Sequence, residues 1–266
     1  MHGARMNCRG FTLAEIAIVL FIMLLLLGGL LVPLSAQIEI RSMTEAQRTL
    51  ADVREALLGF AVSRRRLPCP ATDGSPGTTN TRGQESFSVG GDASTGACAS
   101  FYAGFVPAAA LGLTPTDTEG FLVDPWRNRI RYAVFAGDIN GSAHALTRYN
   151  GMRDASIEGL GAPGTTMIYV CDRAIAGATT DCGSGAIALG INIPFVVYSV
   201  GPNGASPTGG AGVDEGANPN PHGGSADLVF VSHEQTGTAS NSFDDLLTWT
   251  SINTLISRMI ASRALP

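Results

Sequence analysis

Glu15 stands at the mouth of an apolar run that extends unbroken from Ile16 to Leu34. An ionised carboxylate so placed costs about 3 kcal/mol in lipid and needs a partner. A second concentration of acid lies far downstream. Asp214, Glu215, Asn218, Asn220 and Asp227 gather among glycines between Asn203 and Asp227. Hard oxygen ligands on a flexible segment are what calcium requires, so calcium is the candidate cofactor and a solvated loop the alternative. Catalytic chemistry has little to work with. The chain has no lysine, which removes a P-loop, a Schiff base and any Ser–Lys dyad. Neither His-Glu-x-x-His nor Gly-x-Ser-x-Gly occurs, and His144, His222 and His233 sit in unrelated contexts. Gly159-Leu160-Gly161-Ala162-Pro163-Gly164 fits the dinucleotide pattern as a string, but Pro163 and the β-like residues 165–170 that follow are wrong for a helix opening onto pyrophosphate. The chain reads as a non-enzyme.

The elements that position Glu15 begin with the residues before it. Arg5 and Arg9 precede Gly10-Phe11-Thr12-Leu13-Ala14-Glu15, while Gln37 and Glu39 open the far side of the apolar run, so the positive-inside rule gives a single-pass segment with the N-terminus in and the C-terminus out. This string and the run of about twenty apolar residues behind it resemble the signal of type IV prepilins and type II secretion pseudopilins. The resemblance implies that a prepilin peptidase cuts after Gly10, that the new N-terminal Phe11 is methylated, and that the chain passes from the bacterial inner membrane, through an assembly platform, into a filament with other pilin or pseudopilin subunits. Glu15 would then act in filament assembly, and the bulk of the chain would be periplasmic or extracellular. An ordinary signal peptide, with Leu34-Ser35-Ala36 before Gln37, would have a shorter apolar core. A membrane-anchored binding or adhesive module that does not polymerise is the other reading, and it leaves the Gly-Phe-Thr-Leu-Ala-Glu string as coincidence.

Beyond Pro33, Met43, Ala46, Leu50, Val53, Leu57 and Phe60 recur at spacings of three and four, a helical stripe with Glu45, Arg48, Asp52 and Glu55 between its members. One helix over 11–66 would be about 80 Å long at 1.5 Å per residue, too long for a single globular domain. Its first half therefore spans the membrane and its second half packs on the C-terminal part of the chain. Gly28, Gly29 and Pro33 are the helix's weak point. In the pilin family this stretch can unwind during assembly, and an ordinary kink is the alternative. The division is thus a leader of residues 1–10, the helix of 11–66 and a β-rich domain of 67–266.

Short apolar runs at Ile130 to Phe135, Met167 to Val170, Pro194 to Val200 and Leu228 to Val231, separated by polar loops, predict one antiparallel sheet. An amphipathic helix is expected from Asp244 to Ser262. The fold class is α+β, pilin-like by resemblance. Asp124-Pro125-Trp126-Arg127-Asn128 is similar to the Asp-Pro-Trp-Gly-Asn turn of major pseudopilins, with Arg127 in place of Gly. Ser199-Val200-Gly201-Pro202-Asn203-Gly204 is similar to their Ser-Leu-Gly-x-Asp-Gly loop, with Asn203 where an acid is common. Both strings are turn chemistry in any fold.

Five cysteines are present, and Cys8 would leave with the leader. Cys69, Cys98, Cys171 and Cys182 remain, an even number for an oxidising compartment. Three pairings are open; Cys69 with Cys98 and Cys171 with Cys182 is favoured, because the first would tie down the loop after the long helix and the second could close a hairpin. Without Arg5 and Arg9 the 17 basic residues fall to 15 against 22 acidic ones, a net charge of −7 that disfavours nucleic acid. Arg64-Arg65-Arg66 is better placed at a helix end, where cations oppose the dipole.

Overall fold

The computed structural model describes residues 12–73, 83–162, 166–204, 212–218, 228–238 and 241–265, without the side chains of 26–36, 237, 238 and 241. In chain order the elements are α1 (Leu13–Arg64), β1 (Gly104–Phe105), α2 (Ala108–Leu111), β2 (Arg131–Val134), α3 (Gly151–Leu160), β3 (Ile168–Cys171), β4 (Ala188–Ile193), β5 (Phe195–Ser199), α4 (Val213–Ala217), β6 (Val229–Val231), β7 (Thr236–Thr238), β8 (Asn241–Phe243), β9 (Leu246–Thr250) and α5 (Ile252–Ala261). The class is α+β, an N-terminal helix with an antiparallel sheet. The chain divides into two compact units, residues 1–44 and 45–266.

In the second unit the predicted stripe is the buried face of α1. Leu50, Val53 and Leu57 are buried, and Leu58 and Ala61 join them in the core with Val106, Tyr132, Val197, Leu255 and Met259. The principal sheet has the order β1-β2-β5-β9, antiparallel throughout. Every residue of β2 and β5 is buried, so both faces of this sheet are covered. That is why Phe195-Val196-Val197-Tyr198 reads as a continuous apolar run instead of an alternation. Register pairs Arg131 with Tyr198 and Tyr132 with Val197, and the Tyr132 hydroxyl donates to the Pro68 carbonyl at 3.1 Å.

Two expectations are corrected. The strands form more than one antiparallel sheet: β3 lies between β4 and β6 in a separate three-stranded sheet whose β3–β6 pair is parallel, and β7 with β8 makes a small ribbon. The C-terminal helix begins at Ile252 instead of Asp244, because Leu246–Thr250 pairs with β5 as an edge strand. Ser251 caps the helix, its hydroxyl accepting from the Thr254 N–H at 3.3 Å.

The remaining cysteines are joined as two disulfides, Cys69 to Cys98 and Cys171 to Cys182, with Cα separations of 5.3 and 5.6 Å. The first closes the segment that follows α1, beside a second clamp. The Arg66 guanidinium grips the Glu85 carboxylate through two donors at 2.5 and 2.7 Å, and the same carboxylate accepts the Cys69 N–H at 2.8 Å. Arg66 thus binds a carboxylate, not only a helix end.

Candidate functional site

Among its described residues the N-terminal unit presents a polar constellation at the start of α1. Thr12 donates its N–H to Glu15 Oε2 at 2.9 Å and its hydroxyl to the same oxygen at 3.0 Å, while the Glu15 N–H donates back to the Thr12 hydroxyl oxygen at 3.3 Å. This is a reciprocal capping box, which satisfies backbone donors that a helix start leaves open. Past it, Ile16, Ile18, Val19, Leu20, Phe21, Ile22, Met23, Leu24 and Leu25 are exposed in the single chain. That is an apolar helix surface without cover. α1 continues through Gly28, Gly29 and Pro33 without a break. Among the described residues no helix is long and apolar enough to cross a membrane; the run expected to span it includes residues 26–34, whose side chains are not among those described. Gly10 and Phe11 also lie outside the described residues.

Residues 5–31 match the family model described as the prokaryotic N-terminal methylation motif. The chain carries the type IV prepilin and pseudopilin signal. No curated protein and no solved structure matches the chain.

Downstream of the prepilin signal, two stretches that sequence alone reads as separate turns are one connected structure. Asp124 accepts the Asn128 N–H on Oδ1 at 2.8 Å, which closes the Asp-Pro-Trp-Arg-Asn turn. Its other oxygen accepts the Ser199 hydroxyl at 2.6 Å, and the Asn128 side chain donates to the Gly201 carbonyl at 2.7 Å. The turn therefore fixes the end of β5 and the start of the Gly201–Gly204 loop. Arg127 holds a φ of 72°. That left-handed backbone is natural to Gly and costs other residues about 1 kcal/mol, a physical reason for Gly at this place in related turns.

The loop so anchored leads to an acidic cluster. Glu215 on α4, Asp244 and Asp245 just before β9 bring one carboxylate oxygen each to within 4.8 Å of one another. Glu215 Oε1 accepts from the Asn203 side chain at 2.9 Å and from the Asp244 N–H at 3.0 Å. Asp245 Oδ2 accepts from Asn218 at 2.5 Å, and Asn218 also exchanges hydrogen bonds with the Val231 backbone. Burial, together with the negative charge of Glu215, pushes the Asp244 carboxyl up to about 7. Burial pushes Asp245 up to about 8 in spite of the Asn218 bond, and the buried Arg131 guanidinium only partly offsets it.

Of the three described sequence candidates for calcium, only Glu215 joins this cluster. Asp214 points elsewhere, accepting the Ala174 N–H at 2.7 Å and lying 3.3 Å from His233 Nε2. Asn218 is committed to Val231 and Asp245 and is a support, not a free ligand. Asn220 and Asp227 lie outside the described residues. Asp244 and Asp245 escape a reading that puts them in the first turn of a helix; the signal for them is an Asp-Asp pair directly ahead of an edge strand.

The donor set fits a hard cation. Asn203 Oδ1, Asp244 Oδ1 and Asp245 Oδ1 are buried oxygens without a hydrogen-bond donor among the described residues. Oxygens on a common calcium ion at 2.3–2.6 Å can be at most about 5 Å apart, which the 4.8 Å spread of the carboxylate oxygens satisfies. The two described histidines take no part in the cluster: His233 stacks on Phe243 at 3.9 Å and His144 on Phe101 at 5.1 Å; His222 lies outside the described residues.

Proposed function

We propose that this chain is a prepilin-like structural subunit, cut after Gly10 by a prepilin peptidase, methylated on Phe11, and assembled through α1 into a type IV pilus or type II secretion pseudopilus. The observation that carries the reading is the signal over residues 5–31 with Glu15 as the only charged residue between Phe11 and Leu34. Before assembly the apolar segment lies in the inner membrane with its N-terminus in the cytoplasm. Residues from Glu45 onward form the outer, pilin-like domain. Cleavage creates an amine at Phe11, and an axial offset between copies brings the Glu15 carboxylate of one to the amine of another, so that ion pairing in an apolar bundle sets register. The work of such a subunit is association, not catalysis. Glu215, Asp244 and Asp245, with Asn203, hold a calcium ion that keeps the distal loops of the outer domain in one arrangement.

The test begins with processing. Coexpression with a prepilin peptidase shortens the chain by residues 1–10, and Gly10→Ala blocks the cut. A mature N-terminus at Gln37 would establish an ordinary signal peptide instead. Glu15→Leu leaves insertion and cleavage intact, because it makes the span more apolar, yet keeps the chain out of sheared filaments. Glu15→Gln, which retains a hydrogen-bond acceptor, is the milder variant. Incorporation of the Leu variant at the wild-type level would remove the assembly role and leave the membrane anchor.

A further inference from the structure

From Gly183 to Gly212 the sequence carries no Asp, Glu, Lys, Arg or His, and β4 lies within this stretch. Strand side chains alternate between two faces. On one face Gly190 backs onto Trp249, where a Cβ would meet the indole Nε1 at 2.9 Å. On the other, Ile187, Leu189 and Ile191 stand 64, 48 and 55% exposed. β4 is also the outer strand of its sheet, so among the described residues its far edge has no neighbour. Edge strands commonly carry charge or proline that keeps other chains off, and residues 183–193 have neither. The strand is pinned in place. The Ile187 N–H donates to Asp172 Oδ1 at 2.7 Å, the Ile187 carbonyl accepts the Asp172 N–H at 3.0 Å, and the Cys171–Cys182 disulfide ties down the loop before it. The apolar row is thus formed in advance, which removes an ordering cost from any contact it makes.

The size of the row decides what can cover it. A stable complex between free proteins uses about 20–30 residues a side, and three side chains fall far short of that. Alone they cannot hold a partner that arrives from solution. They suffice for a partner already held beside the chain, because a contact between tethered bodies is in effect intramolecular. Association through α1 supplies such a partner, the next copy. We propose that the row Ile187, Leu189 and Ile191 is a lateral contact through which the outer domain of one copy packs on a second copy in the filament. This inference rests on the filament reading above. A contact that repeats along a filament is head-to-tail, so the row meets a different surface of the second copy; two β4 edges facing each other would close a dimer instead. The lack of charge suits that place, since charged residues are depleted at the core of an interface.

The experiment uses the full chain expressed with its native assembly machinery, with a photoreactive benzophenone amino acid in place of Leu189. Sheared filaments and membrane fractions are irradiated, and the products are mapped by mass. The expected product is a dimer of this chain, joined from position 189 to a residue outside 187–193. It is expected in the filament fraction and to be at least about tenfold scarcer in the uncut Gly10→Ala chain, where the tether is missing. Separately, Leu189→Lys is expected to lower the filament fraction by about tenfold, as loss of a central apolar contact does. Leu189→Ile, which keeps the row apolar, is expected to stay within about twofold of wild type. Both variants are expected to keep both disulfides and to melt within about 2 °C of wild type in detergent, since substitutions at exposed positions change stability little. Should Leu189→Lys fail to fold, the crosslink decides alone. A product with a different protein, a product joining two β4 strands, or no product in filaments formed at the wild-type level overturns the inference and leaves the filament reading standing. Wild-type incorporation of Leu189→Lys does the same. A wild-type chain that never leaves the membrane fraction overturns the filament reading, and this inference with it.

Discussion

Asp245→Asn is the most informative change in the outer domain, because Asp245 is almost fully buried and its Oδ1 has no hydrogen-bond donor among the described residues. If the cluster holds calcium as proposed, the ion at a hundredfold its dissociation constant is expected to stabilise the folded wild-type chain by about 2.7 kcal/mol. For a body the size of residues 45–266, each kcal/mol moves the melting temperature by about 2–4 °C, so the expected rise is about 5–11 °C. The pH dependence has a definite sign. With folded pKa values of about 7 for Asp244 and about 8 for Asp245, raised above the unfolded carboxylate value, the stability these protons bring is complete below about pH 4. It is lost as pH rises through 7 and 8. Calcium-free protein is therefore more stable at pH 5 than at pH 8, and calcium binding, which displaces those protons, strengthens about tenfold per pH unit for each proton displaced. The amide introduced by Asp245→Asn keeps an acceptor for Asn218 but brings no charge, so the variant has a shallower pH dependence and a calcium shift below about 2 °C. Calorimetry of the full chain in detergent, with calcium and with chelator, reads both quantities. Equal melting temperatures in calcium and chelator at pH 8, or an undiminished shift in the variant, would refute the assignment of these oxygens as ligands.

Arg127→Gly removes a side chain from a backbone at φ 72° while leaving the Asp124–Asn128 bond, so urea unfolding of the variant is expected to show a gain of about 1 kcal/mol; a loss would mean that the arginine makes a compensating contact. The disulfides are expected to differ with loop length. By chain-entropy arithmetic, replacing both Cys171 and Cys182 by serine costs about 2.8 kcal/mol for a separation of 11, and replacing Cys69 and Cys98 costs about 3.6 kcal/mol for a separation of 29. Urea midpoints measure both, and a larger loss at the shorter loop would contradict the entropic account.

What the sequence made legible is what is local in the chain. The stripe from Ala46 to Leu57 repeats at helical spacing, and the runs at Ile130 and Pro194 announce β2 and β5, because the periods of helix and strand are written within a few residues. The errors come from long-range pairing. Leu247 and Trp249 fit a helical stripe with Ile252 and Leu255, yet β5 supplies a partner strand of matching length, and pairing with it outweighs local preference up to the cap at Ser251. The parallel β3–β6 pair, between segments far apart in sequence, has no local signature at all. The acidic cluster fails to show for the same reason. Its three members lie on α4 and ahead of β9, and only the folded register places Glu215 beside Asp244. Composition marked Glu215 through its acidic neighbours and also drew in Asp214, whose partner turns out to be the Ala174 backbone.

The two acidic sites pose one physical problem and resolve it by different means. A carboxylate removed from water must protonate, find donors or find a cation. Thr12 gives Glu15 donors on one oxygen, so an apolar surrounding would leave the anion half satisfied. Glu215 has Asn203 and the Asp244 N–H, but the crowding of Asp244 and Asp245 beside it leaves protons as the substitute for a cation. Half-satisfied anions store a preference for a positive partner. On the proposed reading, the partner at the N-terminus is a charge created by cleavage and carried by another copy, so satisfaction would couple to assembly. On the same reading, in the outer domain it is a mobile ion, so satisfaction would couple to the order of one chain. Blocking the cut after Gly10 should therefore abolish filament entry without changing the calcium-dependent melting shift. Chelation should remove the shift without changing leader cleavage. Loss of the calcium shift in the uncut Gly10→Ala chain would show that the two sites are not independent.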